Sequence, residues 1–350
     1  MQSALQKLTA GGFSIGVELP LDNDWSPSGD RARRQAGRLP GEPDMRHHAT
    51  LASLADRLGF RALWVRDVPL YDPAFGDAAQ VFETFAYLGY LAGITRDILL
   101  GTAAVVLPLR EPVLTLKSAA TVDRLSNERL LLGVASGDRP IEYPIFKRDY
   151  STRGQAFRSQ VEMIRDWGAS SLPASIELLP RPAQPLSLLV AGLAQQSPEW
   201  IGQHMDGWLA FPGTPDDHAR RTELWRNVAG SDKPYVSFIH LDLADDPNAP
   251  LRRHRFGATV GRNGLITELQ AMMDAGVHHI GLHFRRNHRP VDEVMEEIAA
   301  YVLPAFQWRT QQRAAKEVGD QASESEVAGA VQNASSVTFG RRASRINGQD

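Results

Sequence analysis

Residues 99–138, LLGTAAVVLPLREPVLTLKSAATVDRLSNERLLLGVASGD, decide the fold. Leu99 to Leu107 is β-branched and apolar with small residues interleaved, the pattern of a strand covered on both faces. Pro112 fits the first turn of a following helix, where its missing N–H costs nothing. Leu116, Ala119, Ala120 and Val122 bring one apolar stripe round to a break near Ser126-Asn127. Leu130 to Val134 is a second parallel-type strand, with Ala135-Ser136-Gly137-Asp138 at its carboxyl end. Two strands joined by one helix form a parallel unit, and parallel barrels keep their chemistry at strand C-termini.

The same alternation extends in both directions. Strands are predicted over Phe13–Leu19, Ala62–Arg66, Leu186–Val190, Gly207–Phe211, Tyr235–Leu243 and His279–Phe284. Helices are predicted over Met45–Leu58, Ala78–Ala92 (ended by Gly93), Arg153–Trp167, a short turn opened by Ser197-Pro198, Pro215–Val228, Leu265–Ala275 and Val291–Phe306. Eight alternations predict an α/β chain with one (β/α)8 TIM barrel within residues 1–310. A doubly wound sheet is disfavoured, because no G-x-G-x-x-G opens a helix after the first strand. Asp22 to Asp44 is too long for a βα loop of about 2–6 residues and reads as a polar loop. In it Trp25, Arg31, Arg33, Arg34 and Arg38 offer a lid, with a solvated charge run as the default. Residues 311–350 lose periodicity and are expected to be a disordered or partner-ordered tail.

Composition narrows the function. A formal charge of −3 and a pI near 6.4 give no case for nucleic acid or an anionic membrane. The chain has no cysteine, so thiolate nucleophiles, disulfides and Fe–S clusters are excluded. No stretch resembles a signal peptide or a membrane span, which leads us to expect a cytoplasmic protein.

Several residues stand where chemistry is expected. Arg66-Asp67-Val68 ends the second strand, Val106 and Arg110 end the third, and Ser136, Gly137 and Arg139 follow the fourth. Ala191 and Gly192 end the fifth; Ser197 then caps a helix start whose N–H groups suit a phosphate. Gly261-Arg262-Asn263-Gly264 is a rival phosphate turn. His240 and His283 face inward on the last two strands, as does His279, while His278 opposes them, so a metal site is rejected.

GTAAVVLP at 101–108, Pro112, D-R-L-S at 123–126, the strand from Arg129 to Gly133 and S-T-R-G at 151–154 resemble the bacterial luciferase-like flavin monooxygenases. The resemblance spans about residues 13–305. It implies a barrel that binds FMN or, in a sister group, the deazaflavin F420, with a Ser or Thr at position 197 on the phosphate. Cofactor contacts are then expected at Arg66, Val106, Arg110, Ser136, Gly137, Arg139, Ala191, Gly192 and Ser197. The family usually has His-Pro where this chain has Arg110-Glu111-Pro112, and a basic residue where it has Leu114; Arg110 or Lys117 would substitute. Relatives often carry a catalytic His after the second strand, replaced here by Asp67 and Val68, which leaves Asp67, His283 and His240 as catalytic candidates. The implied reaction is oxidation of a small organic substrate by reduced FMN and O2, with a separate flavin reductase as partner. F420-dependent hydride transfer and a non-catalytic flavin-binding barrel are the alternatives. The predicted second helix, rich in Val81, Phe82, Phe85, Tyr87, Leu88, Tyr90 and Leu91, is expected to centre a homodimer.

Overall fold

In the computed structural model, residues 2–75, 82–169 and 171–306 are described. The chain divides into two compact units, residues 1–304 and 305–350, and the fold below is that of the first. The predicted tail from residue 311, and Ala78 to Val81 of the predicted second helix, lie outside the described residues.

Eight parallel strands close a barrel: β1 (Ser14–Glu18), β2 (Ala62–Val65), β3 (Leu99–Thr102) continued by β4 (Val105–Val106), β5 (Leu130–Ala135), β6 (Ser187–Ala191), β7 (Gly207–Leu209), β8 (Tyr235–Leu243) and β11 (His279–His283). Closure comes from β11, which pairs with β8 on one side and β1 on the other. The outer half of β8 grows past the barrel and pairs instead with β10 (Gly257–Val260), which folds back on β9 (Arg252–His254) as an inserted hairpin. Helices α3 (His48–Arg57), α4 (Thr84–Ile94), α5 (Pro112–Leu125), α7 (Arg153–Arg165), α8 (Pro198–His204), α9 (Pro215–Ala229), α10 (Arg262–Asp274) and α11 (Val291–Glu297) connect the strands. The predicted closing helix is α-helical to Glu297 and then widens to a π turn over Ile298–Val302.

Three short elements differ from the sequence reading. A helix, α1 (Ala4–Thr9), precedes the barrel, and its Ala4 and Leu8 pack with Ala62, Trp64, Leu99, Leu131, Leu189, Leu209, Val236 and Phe238. It therefore plugs the end where the strands begin. Within the predicted polar loop, Ser26 caps α2 (Pro27–Gln35), whose Arg33 is buried against Asp30 and the Arg38 carbonyl. The charge run there is partly internal rather than a solvated face. A four-residue turn, α6 (Glu142–Ile145), follows β5. Gly93 does not end α4, which runs on to Ile94 and is capped by Thr95.

Large rings fill the interior where strands lack side chains. A Cβ at Gly101 would come within 2.4 Å of the Trp64 ring, and one at Gly281 within 2.5 Å of Phe238. Those two rings meet edge to face at 5.7 Å. Arg129, at the start of β5, is buried and donates to the carbonyls of Ala92, Thr95, Ile98 and Ser126. This arginine of the resemblance motif fastens the end of α4 to the strand starts; it is far from any strand C-terminus.

Candidate functional site

The strand C-termini carry two unlike arcs. Along β4, β5 and β6 stand small or apolar residues: Val106 beside Ala135 in register, then Ser136 and Gly137, then Ala191 and Gly192. Gly137 takes φ +81°, and a Cβ there would strike the Tyr143 hydroxyl at 2.5 Å and Val106 at 2.7 Å. Gly192, at φ +58°, has only Phe211 near it at 3.8 Å, so its face is open. Such an arc lets a flat ring approach backbone.

Ser197 does what its sequence predicts. It caps α8 with Pro198 in the first turn, accepts from the Trp200 N–H at 3.3 Å, and stays exposed. At the rival turn, 261–264, two donors are occupied: the Gly261 N–H goes to the Ala249 carbonyl and the Asn263 N–H to that of Pro247. Lys117 is equally committed, its ammonium donating to the Leu179 carbonyl at 2.7 Å.

Two expected ligand-facing charges turn out to be braced by the protein. Asp67 accepts from the Val106 N–H at 3.0 Å, from Thr84 at 2.9 Å and from two nitrogens of Arg110 at 2.9 and 2.6 Å. With both oxygens filled, it ties the ends of β2 and β4 together rather than presenting a free base. Arg110 also meets Glu83 at 2.9 Å, so its fork is spent on this brace. Arg139 is buried, 4.1 Å above the Phe75 ring and 3.8 Å from Glu142. Arg66 stands 3.6 Å from Glu18 at the mouth.

The opposite arc, β8 and β11, is where titratable groups meet. His240 and His283 pair in register and their rings stack at 4.2 Å and 18°. His283 is 1% exposed, and neither ring nitrogen has a hydrogen-bond partner among the described residues. Burial first, then His240, Arg66, Arg285 and Arg286, holds its pKa well below the ordinary imidazole value, so it is neutral at pH 7.

Trp25 covers this pair, with ring centroids 5.2 Å from His283 and 5.9 Å from His240. Its backbone N–H is held by the Arg285 carbonyl at 2.7 Å. Arg285 itself is fully buried, lies 4.7 Å from the Trp25 ring, and ion-pairs with Asp22 at 2.8 Å and Asp24 at 3.5 Å. Arg38 closes the network onto Asp24. Burial outweighs Arg285 at Asp22 and pushes its pKa up to about 6. The long segment after β1 is thus a strap anchored over the mouth, a role its length signalled and its charge obscured. Outside Trp25 opens a cleft of about 520 Å³, walled also by Tyr71, Asp72 and Arg286. Sequence reasoning missed Arg285; a double Arg directly after an inward strand was its only signal.

Comparison with known proteins bears on the family and the fold. A profile described as luciferase-like monooxygenase matches residues 28–331. An uncharacterized protein of Mycobacterium tuberculosis is 25% identical over 227 residues, 57% of this chain and 78% of its own. Among solved structures, an F420-dependent secondary alcohol dehydrogenase in complex with an F420-acetone adduct is similar at a TM-score of 0.65 and 15% identity, over 84% of this chain and 99% of that one. The oxygenating constituent of 3,6-diketocamphane monooxygenase of Pseudomonas putida, in complex with FMN, is similar at 0.60 and 12% identity, over 84% and 98%.

Proposed function

The chain belongs to the luciferase-like monooxygenase family, and from that premise we propose that it is an FMN-dependent monooxygenase acting on a small organic substrate. The observation that carries this reading is the division of the mouth: an open arc of small residues faces a buried neutral imidazole with two unfilled nitrogens. FMN, when bound, would supply the redox chemistry with O2. This chain's own share is then to bind, orient and keep out water. Val106, Ser136, Gly137, Ala191 and Gly192 would lie against the ring, and Arg66 would reach its edge. Ser197 and the start of α8 would hold the phosphate. His283, stacked on His240, would give or take a hydrogen bond at the reacting oxygen. Arg110, Arg139 and Asp67 act one step back, by fixing the strand ends. A separate reductase would supply reduced flavin, since no dinucleotide fingerprint opens a helix here.

F420-dependent hydride transfer is the second reading, favoured by the fold shared with the F420-dependent alcohol dehydrogenase. Titration of the chain with FMN and with F420, followed by O2 uptake with reduced FMN and candidate substrates, separates the two. FMN binding with substrate-dependent O2 uptake is expected. Binding of F420 alone would overturn the proposal, and FMN binding without turnover of any substrate would mark a passive flavin carrier.

The homodimer belongs to the same proposal, with a changed reporter. Phe85, Tyr87, Leu88 and Leu91 of α4 are buried within the chain, and the Tyr87 hydroxyl meets His48 at 3.1 Å. Tyr90 of this helix, at 47%, and Phe82 just before it, at 39%, are the large apolar groups left exposed here among the described residues. Light scattering should therefore find a dimer that Tyr90→Lys converts to monomer; a monomeric wild type would refute it.

A further inference from the structure

Trp25 is not a core residue but is half-buried. Its indole sits half-buried on the ring of His283, with His240 beside it, and two guanidinium groups lie against it, Arg285 at 4.7 Å and Arg286 at 5.6 Å. Cations placed against a ring select an electron-rich π face. Beneath the indole lie the two unpartnered nitrogens of His283, a residue that is 1% exposed. A polar group so buried costs stability unless something hydrogen-bonds it. On the outer side the 520 Å³ cleft provides space of the size small ligands use. The carboxylates on that wall are mostly engaged: Asp24 by Arg38 and Arg285, and Asp30 by Arg33 and Arg34. Arg286 is exposed on that wall.

We propose that the place now taken by the Trp25 indole is the substrate subsite, and that it accepts a flat, electron-rich aromatic ring whose hydroxyl or N–H hydrogen-bonds His283. The indole is the stand-in: it shows the thickness, the flatness and the π character that the walls accept. What it fails to do is satisfy His283, because its own contact there is ring to ring. A phenol or an indole entering from the cleft supplies that hydrogen bond while keeping the tilted ring contacts to His283 and His240 and the cations on its face. The strap does not have to unfold for this. The proposal keeps the Trp25 backbone pinned to the Arg285 carbonyl and requires only that the indole rotate about its side-chain bonds towards the cleft that Trp25 lines. The neutral state of His283 leaves one ring nitrogen as acceptor and one as donor, which matches a phenolic hydroxyl better than a carboxylate.

This assignment deepens the flavin-dependent reading and rests on it for the word substrate, so its test measures ring binding and flavin binding separately. The probes are p-cresol, its saturated counterpart 4-methylcyclohexanol, and toluene, added to the full chain with and without FMN. The indole N–H resonance of Trp25 is the one that disappears in Trp25→Phe. Addition of p-cresol to the wild type should shift that resonance and leave those of Trp64 and Trp225 in place, with 4-methylcyclohexanol at least about tenfold weaker. His283→Phe keeps the stacking ring and removes both nitrogens; it should weaken p-cresol about tenfold and leave toluene unchanged. Equal binding of p-cresol and 4-methylcyclohexanol, or an unmoved Trp25 resonance, overturns the proposal. So does competition between FMN and p-cresol, which would give the slot to the flavin ring. Ring binding in a chain that takes up no FMN would spare the subsite and sink the flavin reading instead.

Discussion

His279 and His283 lie on the same face of the same strand, four residues apart, and both are buried to within 1%. They could hardly be treated more differently. His279 sits at the plugged end of the barrel between Trp64 and Ser14. The Trp64 indole N–H donates to its Nε2 at 3.0 Å. The Ser14 hydroxyl gives its proton to the Leu8 carbonyl at 2.8 Å, so the contact at 2.7 Å must run from the His279 Nδ1–H to Ser14. One neutral tautomer satisfies every atom. At the other end of the strand, neither nitrogen of His283 has a hydrogen-bond partner among the described residues. The ligand role proposed for His283 rests on this contrast between a fully bonded imidazole and one that is not. The closed end is where stability is invested; the open end carries the cost of function.

The largest expected effect breaks the closed end. His279→Leu strands the Trp64 N–H and leaves Ser14 without its donor, which should cost about 2–4 kcal/mol in urea unfolding. His283→Phe removes two buried unfilled groups and should move stability by less than about 1 kcal/mol in either direction. Equal losses at the two positions would mean that His283 has protein partners after all, and the contrast would collapse.

That contrast was half legible in the sequence. Period-two alternation put His279 and His283 on one inward face, and the strand-helix-strand reading of residues 99–138 placed β3, α5 and β5 close to where they stand. What alternation cannot show is which imidazole is satisfied. The partners of His279 lie 215 and 265 residues away, on strands that meet only when the barrel closes. α1 was missed because six residues are too few to display a helical period. α2 was missed because a charged run hid the Ser26-Pro27 start signal, which was there to be read. Asp67 and Arg110 were seen as strand-end charges, yet only their mutual distance reveals that they neutralise each other.

Acid should act on the same comparison more gradually. Burial, with Arg61 nearby, lowers His279 to a pKa of about 3, and burial with Arg221 lowers His218 to about 4. Both imidazoles are neutral in the fold, whereas the unfolded chain takes up a proton on each below about pH 6.5. The unfolded state then binds more protons, so stability rises with pH across this window and is lost as the pH falls from about 6.5 towards 4. Each group contributes a slope of at most about 1.4 kcal/mol per pH unit. Unfolding free energies measured between pH 7 and 5 should fall less steeply in His279→Leu than in the wild type. Parallel slopes would show that other groups govern acid sensitivity.

The smallest expected effect on stability falls at the open end, where Ser197 combines two roles that substitution can separate. Its oxygen caps α8 by accepting from Trp200, and its hydroxyl proton is available to a phosphate. Ser197→Ala loses both, at about 1 kcal/mol for the cap and about 1–2 kcal/mol in flavin affinity. Ser197→Asp is the sharper variant. Aspartate caps a helix as well as serine does, so the unfolding free energy should stay within about 0.5 kcal/mol of wild type. Its charge, however, faces the incoming phosphate and gives no proton, so FMN affinity should drop by at least as much as in the alanine variant. If FMN binds Ser197→Asp with wild-type affinity, the phosphate lies elsewhere. Ser197 then belongs, like His279, to the part of the molecule that only holds the barrel together.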